Sequence, residues 1–170
     1  MPSFEPSQGR VNAVAFDPVN SKKFFVGAAT GGIWRTTDGG STYTPLTDKM
    51  PTLAVSSLVV DYSNPNHVYV ATGDADGGAG MSMGVWHSLD GGSTWSATGL
   101  NFPNTDYVQI YKLIQHPTQP ATLFAATTKG LYTTTNNGTT WKQSLATYTI
   151  FDLKFKPGTP ATLYACGRDA

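Results

Sequence analysis

Charge, cysteine and glutamate are scarce in this 170-residue chain. Charged residues make up 13% of it, and eleven basic side chains balance eleven acidic ones. Such a balance leaves no basic field for nucleic acid or for an anionic membrane surface, so neither is expected as a partner. The single cysteine, Cys166, has no intrachain disulfide partner, and with no histidine cluster beside it frames no metal site. It is expected as a small buried residue of the last strand. No apolar run approaches the length of a membrane span, and the N-terminal MPSFEPSQGR has neither the basic nor the apolar part of a signal peptide. Neither membrane insertion nor a cofactor is expected.

What the chain does have is eighteen glycines, eleven prolines and many Thr and Val, a composition for short strands and tight turns rather than helices. One eight-residue stretch is written three times, as TTDGGSTY (36–43), SLDGGSTW (88–95) and TTNNGTTW (134–141). Asp38, Asp90 and Asn136 thus recur about fifty residues apart, the period of one four-stranded propeller blade.

The surrounding sequence repeats with them. VNAVAF, FFVGAA, IWRTT and the residues after Tyr43 read as four successive strands, A to D, separated by turn residues. VSSLVVD, HVYVAT, GVWHS and the residues after Trp95 repeat that order, as does YKLIQHPTQPATLFAATTKGLYTT with its own box. A fourth unit, IFDLKFKPGTPATLYACG, supplies strands A and B. The reading is all-β: one partial β-propeller domain of about three and a half four-stranded antiparallel blades, at about 11–47, 55–100, 108–147 and 149–167. Three and a half blades do not close a ring, so the remaining blades are expected from the same longer chain or from another copy. The second unit carries roughly eight extra residues between strands B and C, within GDADGGAGMSM (73–83).

Turn physics accounts for the repeated box. The side-chain oxygen of Asp38, Asp90 or Asn136 accepts backbone N–H groups, Gly40, Gly92 and Gly138 supply positive φ, and Thr42, Thr94 and Thr140 bond locally. Trp95 and Trp141 pack the hairpin on its blade. Recurrence at every C–D turn makes the box a structural clip.

These boxes resemble Asp-boxes, the BNR repeats of sialidases, sortilin-type propellers, xyloglucanase-type glycosidases and photosystem II assembly factors. Together GRVNAVAFDP, GGIWRTTDGG, VYVATGDADGG and GVWHSLDGGSTW resemble the sortilin-like N-terminal propellers of large secreted bacterial proteins. The resemblance implies a secreted or cell-surface protein. It does not extend to sialidase chemistry, because the only arginines are Arg10, Arg35 and Arg168 and no RIP-like segment precedes the first blade. In the xyloglucanase-type enzymes a catalytic Asp stands shortly before a Gly-Gly pair and an aromatic-Arg dipeptide. Matched on Gly31, Gly32, Trp34 and Arg35, that place holds Ala29. Ten Asp and one Glu show no two-carboxylate pattern of a glycosidase.

Gly80, Ser82 and Gly84 match GxSxG, but a nucleophile elbow needs a strand-to-helix turn and none is expected. DADGG, with Asp74 and Asp76, lacks the register of a calcium loop. In an up-down meander the A–B and C–D turns share one face of the propeller, and the B–C and D–A connections share the other. The second face collects Asp48, Met50, Asp74, Asp76, Phe102, Asp106 and Tyr107, acids mixed with aromatics on non-repeating loops. Loops over a rigid scaffold are where binding concentrates, and Asp74, Asp76, Phe102, Asp106 and Tyr107 are the candidate ligand-binding residues. The expectation is a non-catalytic propeller segment that binds protein or polysaccharide through this face. The alternative is the N-terminal part of a propeller glycoside hydrolase of xyloglucanase type.

Overall fold

The computed structural model describes residues 9–76 and 80–169. Three four-stranded antiparallel meanders follow one another, then a two-stranded hairpin. The first holds β1 (Val11–Phe16), β2 (Phe24–Ala28), β3 (Gly32–Thr36) and β4 (Thr44–Pro45). The second holds β5 (Val55–Val60), β6 (Val68–Thr72), β7 (Val85–Ser88) and β8 (Ser96–Ala97). The third holds β9 (Ile110–His116), β10 (Gln119–Thr127), β11 (Gly130–Thr134) and β12 (Lys142–Leu145). The hairpin is β13 (Tyr148–Lys156) with β14 (Thr159–Asp169). The only helical element among the described residues is a 3-10 turn at Asn104–Asp106. The architecture is a partial β-propeller, with β1, β5 and β9 side by side at the centre and the short β4 and β8 outermost.

In the three four-stranded sheets the A–B turn is set by the side chain that opens it. The Asp17 carboxylate accepts the amides of Val19 and Asn20, and Asp61 accepts that of Ser63. In the third sheet a ring nitrogen, His116 Nδ1, takes the Thr118 amide instead. Strand C starts on glycine because the D–A connection crosses there. A Cβ on Gly84 would lie 2.0 Å from the Leu100 carbonyl oxygen, and one on Gly130 would lie 1.7 Å from that of Leu145. Both residues also have positive φ, +101° and +102°.

The sheets pack face to face, and alternation along the strands decides which side chains enter each gap. Phe25 and Ile33 of the first sheet meet Val55, Leu58, Val68 and Val70 of the second. Tyr69, Ala71 and Val85 of the second meet Leu113, Leu123 and Ala125 of the third. Ala126 and Leu131 of the third meet Ile150 and Leu153 of the hairpin. Each fully buried large aliphatic side chain contributes roughly 1.5–3 kcal/mol. Around the centre, polar side chains stitch neighbouring sheets: Asn12 donates to the Val55 carbonyl (2.9 Å), and Ser57 Oγ accepts the Leu113 amide (3.1 Å).

The first sheet turns its other side to solvent, exposing Val14, Phe16, Trp34 and Tyr43. Cys166, expected to be buried, is exposed on β14. It pairs with Asp152, on the side of the hairpin away from the Leu153 packing gap, so no sheet among the described residues covers it.

Candidate functional site

The three boxes are closed hydrogen-bond systems. In the first, Asp38 Oδ1 accepts the Thr42 amide (3.0 Å) and the Thr36 hydroxyl (2.8 Å), while Oδ2 accepts the Thr42 hydroxyl (2.6 Å). Asp90 is held in the same way by Thr94 and Ser88. These bonds, the Thr42 and Thr94 hydroxyls first among them, hold the Asp38 carboxyl far below the usual carboxylate range and bring that of Asp90 down to about 2. In the third box Asn136 accepts the Thr140 amide and donates its own amide to the Thr140 hydroxyl (2.9 Å). The opening hydroxyls also receive a turn amide: Gly40 donates to Thr36, Gly92 to Ser88 and Gly138 to Thr134. Oxygens so occupied are poor proton shuttles. Trp141 points its indole N–H at the carbonyl of Gly138 in its own box, whereas Trp95 reaches across to Leu46 of the preceding sheet.

The two faces are distinguished by main-chain bonds. Gly39 and Gly91 of the boxes donate to Lys22 and Asn66 of the A–B turns, and Asn137 donates to Ala121 near the start of β10. On the opposite face Gly32 donates to Leu53, Gly73 to Ala54, Ser82 to Val108 and Thr128 to Gln109, tying B–C turns to D–A connections.

The candidate residues on that second face are placed very differently from one another. Asp74 is fully buried, paired with Arg10 and accepting from Asn12 (3.3 Å), so it clamps the insertion onto β1 instead of standing on an open loop. Phe102 is likewise a core residue, edge-on to Tyr132 at 5.7 Å. Asp76 is exposed, at the mouth of a polar central cavity of about 520 Å³ that Asn12, Ser57 and Tyr111 also line. Asp106 pairs with Lys129 at 2.9 Å. Beside it Tyr107 is 73% exposed, in a left-handed conformation (φ 51°) that a bulky residue rarely adopts. Asp76, Asp106 and Tyr107 are thus the accessible members. Residues 77–79 of the insertion lie outside the described residues.

Ser82 of the GxSxG stretch is buried, its hydroxyl accepting the Gly84 amide, on a loop between two strands. His87, on β7, bonds to His67 instead. That histidine belongs to a cluster the sequence reading did not single out, in the gap between the second and third sheets. His67 Nε2 lies 3.1 Å from His87 Nδ1, and Tyr69 Oη lies 3.3 Å from His67 Nδ1 and 3.4 Å from the Asn137 side-chain oxygen. Asp61 is 3.7 Å from His67. Burial, reinforced by His87, pushes His67 down to about 4, and burial also lowers His87 and raises Tyr69. Two ring nitrogens that close share a single proton, so both rings cannot be charged. Among the described residues no three His, Cys, Asp or Glu side chains are grouped to hold a metal ion.

A four-stranded blade, an inner strand lining a polar cavity, and loops gathered on one face define a segment of a β-propeller. Its similarities lie with other β-propeller proteins. The chain is 28% identical over 130 residues to a xyloglucanase of Hypocrea jecorina, a match over 61% of this chain and 15% of the relative. An ancestral GH74 enzyme superposes over 95% of the chain with a TM-score of 0.77 and 27% identity. A GH74 enzyme of Niastella koreensis superposes over 92% with a TM-score of 0.71 and 22% identity, a likeness of fold. The chain spans 22% and 26% of those two solved chains. No protein-family model matches the chain.

Proposed function

We propose that this chain is part of a xyloglucanase-type propeller and that it binds a glucan of that class through the face of the B–C and D–A connections. The observation that carries the reading is the joint match in fold and sequence to an ancestral GH74 enzyme over 95% of the chain. The accessible residues of that face suit the ligand. Tyr107 offers an exposed ring for the apolar face of a pyranose, the neighbouring Asp106–Lys129 pair offers hydroxyl-bonding groups, and Asp76 offers another at the central cavity. In this reading the repeated boxes are Asp-boxes of the BNR type and serve as clips. The protein acts outside the cell, where such polysaccharides are met, and further blades complete the ring.

A specific observation bears on catalysis. Where the resemblance to xyloglucanase-type enzymes calls for a first-blade acid, Ala29 is buried with its amide bonded to the Arg10 carbonyl. The segment therefore contributes binding surface, and any hydrolysis draws its acids from elsewhere. Calorimetric titration of the 170-residue chain with xyloglucan tests the first claim. Saturable binding that D76A/Y107A weakens at least tenfold is expected, and binding indifferent to both substitutions overturns it. Release of reducing ends from xyloglucan by the chain alone would overturn the second.

A further inference from the structure

A groove of about 330 Å³ runs along the outer rim between the first and second sheets, remote from the central cavity. Its lining includes Leu46, Asp48, Lys49, Met50, Thr94 and Trp95. Three observations set it apart from ordinary spacing between blades. First, Trp95 departs from the pattern of its repeat: its indole N–H is drawn across the gap to Leu46 (3.1 Å), whereas Trp141 bonds within its own box. The ring thereby becomes part of the groove lining while its polar atom is already satisfied. Second, the D–A connection carrying Asp48 and Lys49 is pinned. Thr47 is buried, its hydroxyl accepting the Ile33 amide (3.1 Å), and the Met50 amide closes a turn onto the Thr47 carbonyl. Third, Asp48 and Lys49 are exposed at the tip of that turn, and neither joins an ion pair formed among the described residues.

An aromatic and aliphatic floor beside one carboxylate and one ammonium, on a rigid turn, has the chemistry that takes a neutral sugar ring. The apolar face of the ring meets the indole, and adjacent hydroxyls donate to the carboxylate and accept from the ammonium. We propose that this groove is a second polysaccharide-contact site, taking one or two uncharged pyranose units of a chain whose main contact lies elsewhere on the propeller. The proposal rests on the reading of the chain as a glucan-binding propeller. A site at the rim would lengthen the track over which one polymer is held and raise its effective concentration at the main face.

The test is nuclear magnetic resonance of the 170-residue chain carrying ¹⁵N-tryptophan, titrated with xyloglucan heptasaccharide, with calorimetry in parallel. The four indole N–H signals are assigned by single Trp→Phe variants; should W95F fail to fold, W34F, W86F and W141F identify Trp95 by elimination. A saturable shift of the Trp95 signal is expected, with affinity at that signal falling at least tenfold in D48A/K49A. A Trp95 signal that stays fixed while calorimetry still records binding overturns the groove and leaves the main face standing. Absence of any heat or shift overturns both.

Discussion

Acid should loosen the joint between the second and third sheets through His67. In the unfolded chain that imidazole titrates near 6.5, and in the fold near 4. Between those values the unfolded chain binds the proton and the folded chain does not, so stability is complete above about 6.5 and declines as pH falls towards 4. Each tenfold difference in proton affinity is worth about 1.4 kcal/mol. Moving from pH 7 to 4.5 therefore removes roughly 2–3 kcal/mol through this side chain. For a chain of this size that corresponds to a drop in Tm of roughly 4–12 °C. The groups facing His67 support the direction: His87 opposes its charge, and Asp61 recovers only part of the loss. Thermal unfolding followed by circular dichroism at both pH values, on the wild-type chain and on H67Q, isolates the effect, because carboxylates that titrate in both proteins cancel. The wild type should lose more stability than H67Q by the amount given. Equal losses would refute the reasoning.

Other expectations concern packing and binding. G84A should destabilise the fold by about 3 kcal/mol or more in urea unfolding, because its methyl meets the Leu100 carbonyl at a positive-φ position. S57A should cost about 1–3 kcal/mol by the same measurement, since the Leu113 amide is left without its side-chain acceptor in the gap between β5 and β9. Y107A should leave the unfolding midpoint nearly unchanged, since alanine keeps the Cβ that a left-handed backbone disfavours and the lost ring was exposed, while lowering glucan affinity about tenfold in calorimetry.

Those features differ in how plainly the sequence announced them. The box period and the turn residues at Asp17, Asp61 and Gly84 marked out four successive units, because contacts made once per blade leave a periodic trace. The meander order also predicted which loops share a face, and the bonds from Gly39 to Lys22 and from Gly73 to Ala54 place them so. What escaped were contacts made only once. DADGG reads as a loop whose acids are open to a ligand, yet Asp74 folds inward because Arg10, distant in sequence, pairs with it. Phe102 in a polar connection reads as a surface aromatic, but the gap beside Tyr132 receives it. Residue type alone puts Cys166 in the interior, because it carries no information on which side of β14 the residue occupies. The histidine cluster did leave a trace: His67 and His87 stand where the first unit has Lys23 and Arg35, a departure from the repeat that marks a private contact.

The amide in the third box carries a consequence for how the arc would respond to acid. Asp38 and Asp90 hold their turns as carboxylates, support that is present above the ordinary carboxylate range and lost as pH falls through their lowered values. Asn136 makes the equivalent bonds with a group that does not titrate. Acidification would therefore unfasten the chain unevenly, from its first two sheets, with the third hairpin still latched after the first two have let go.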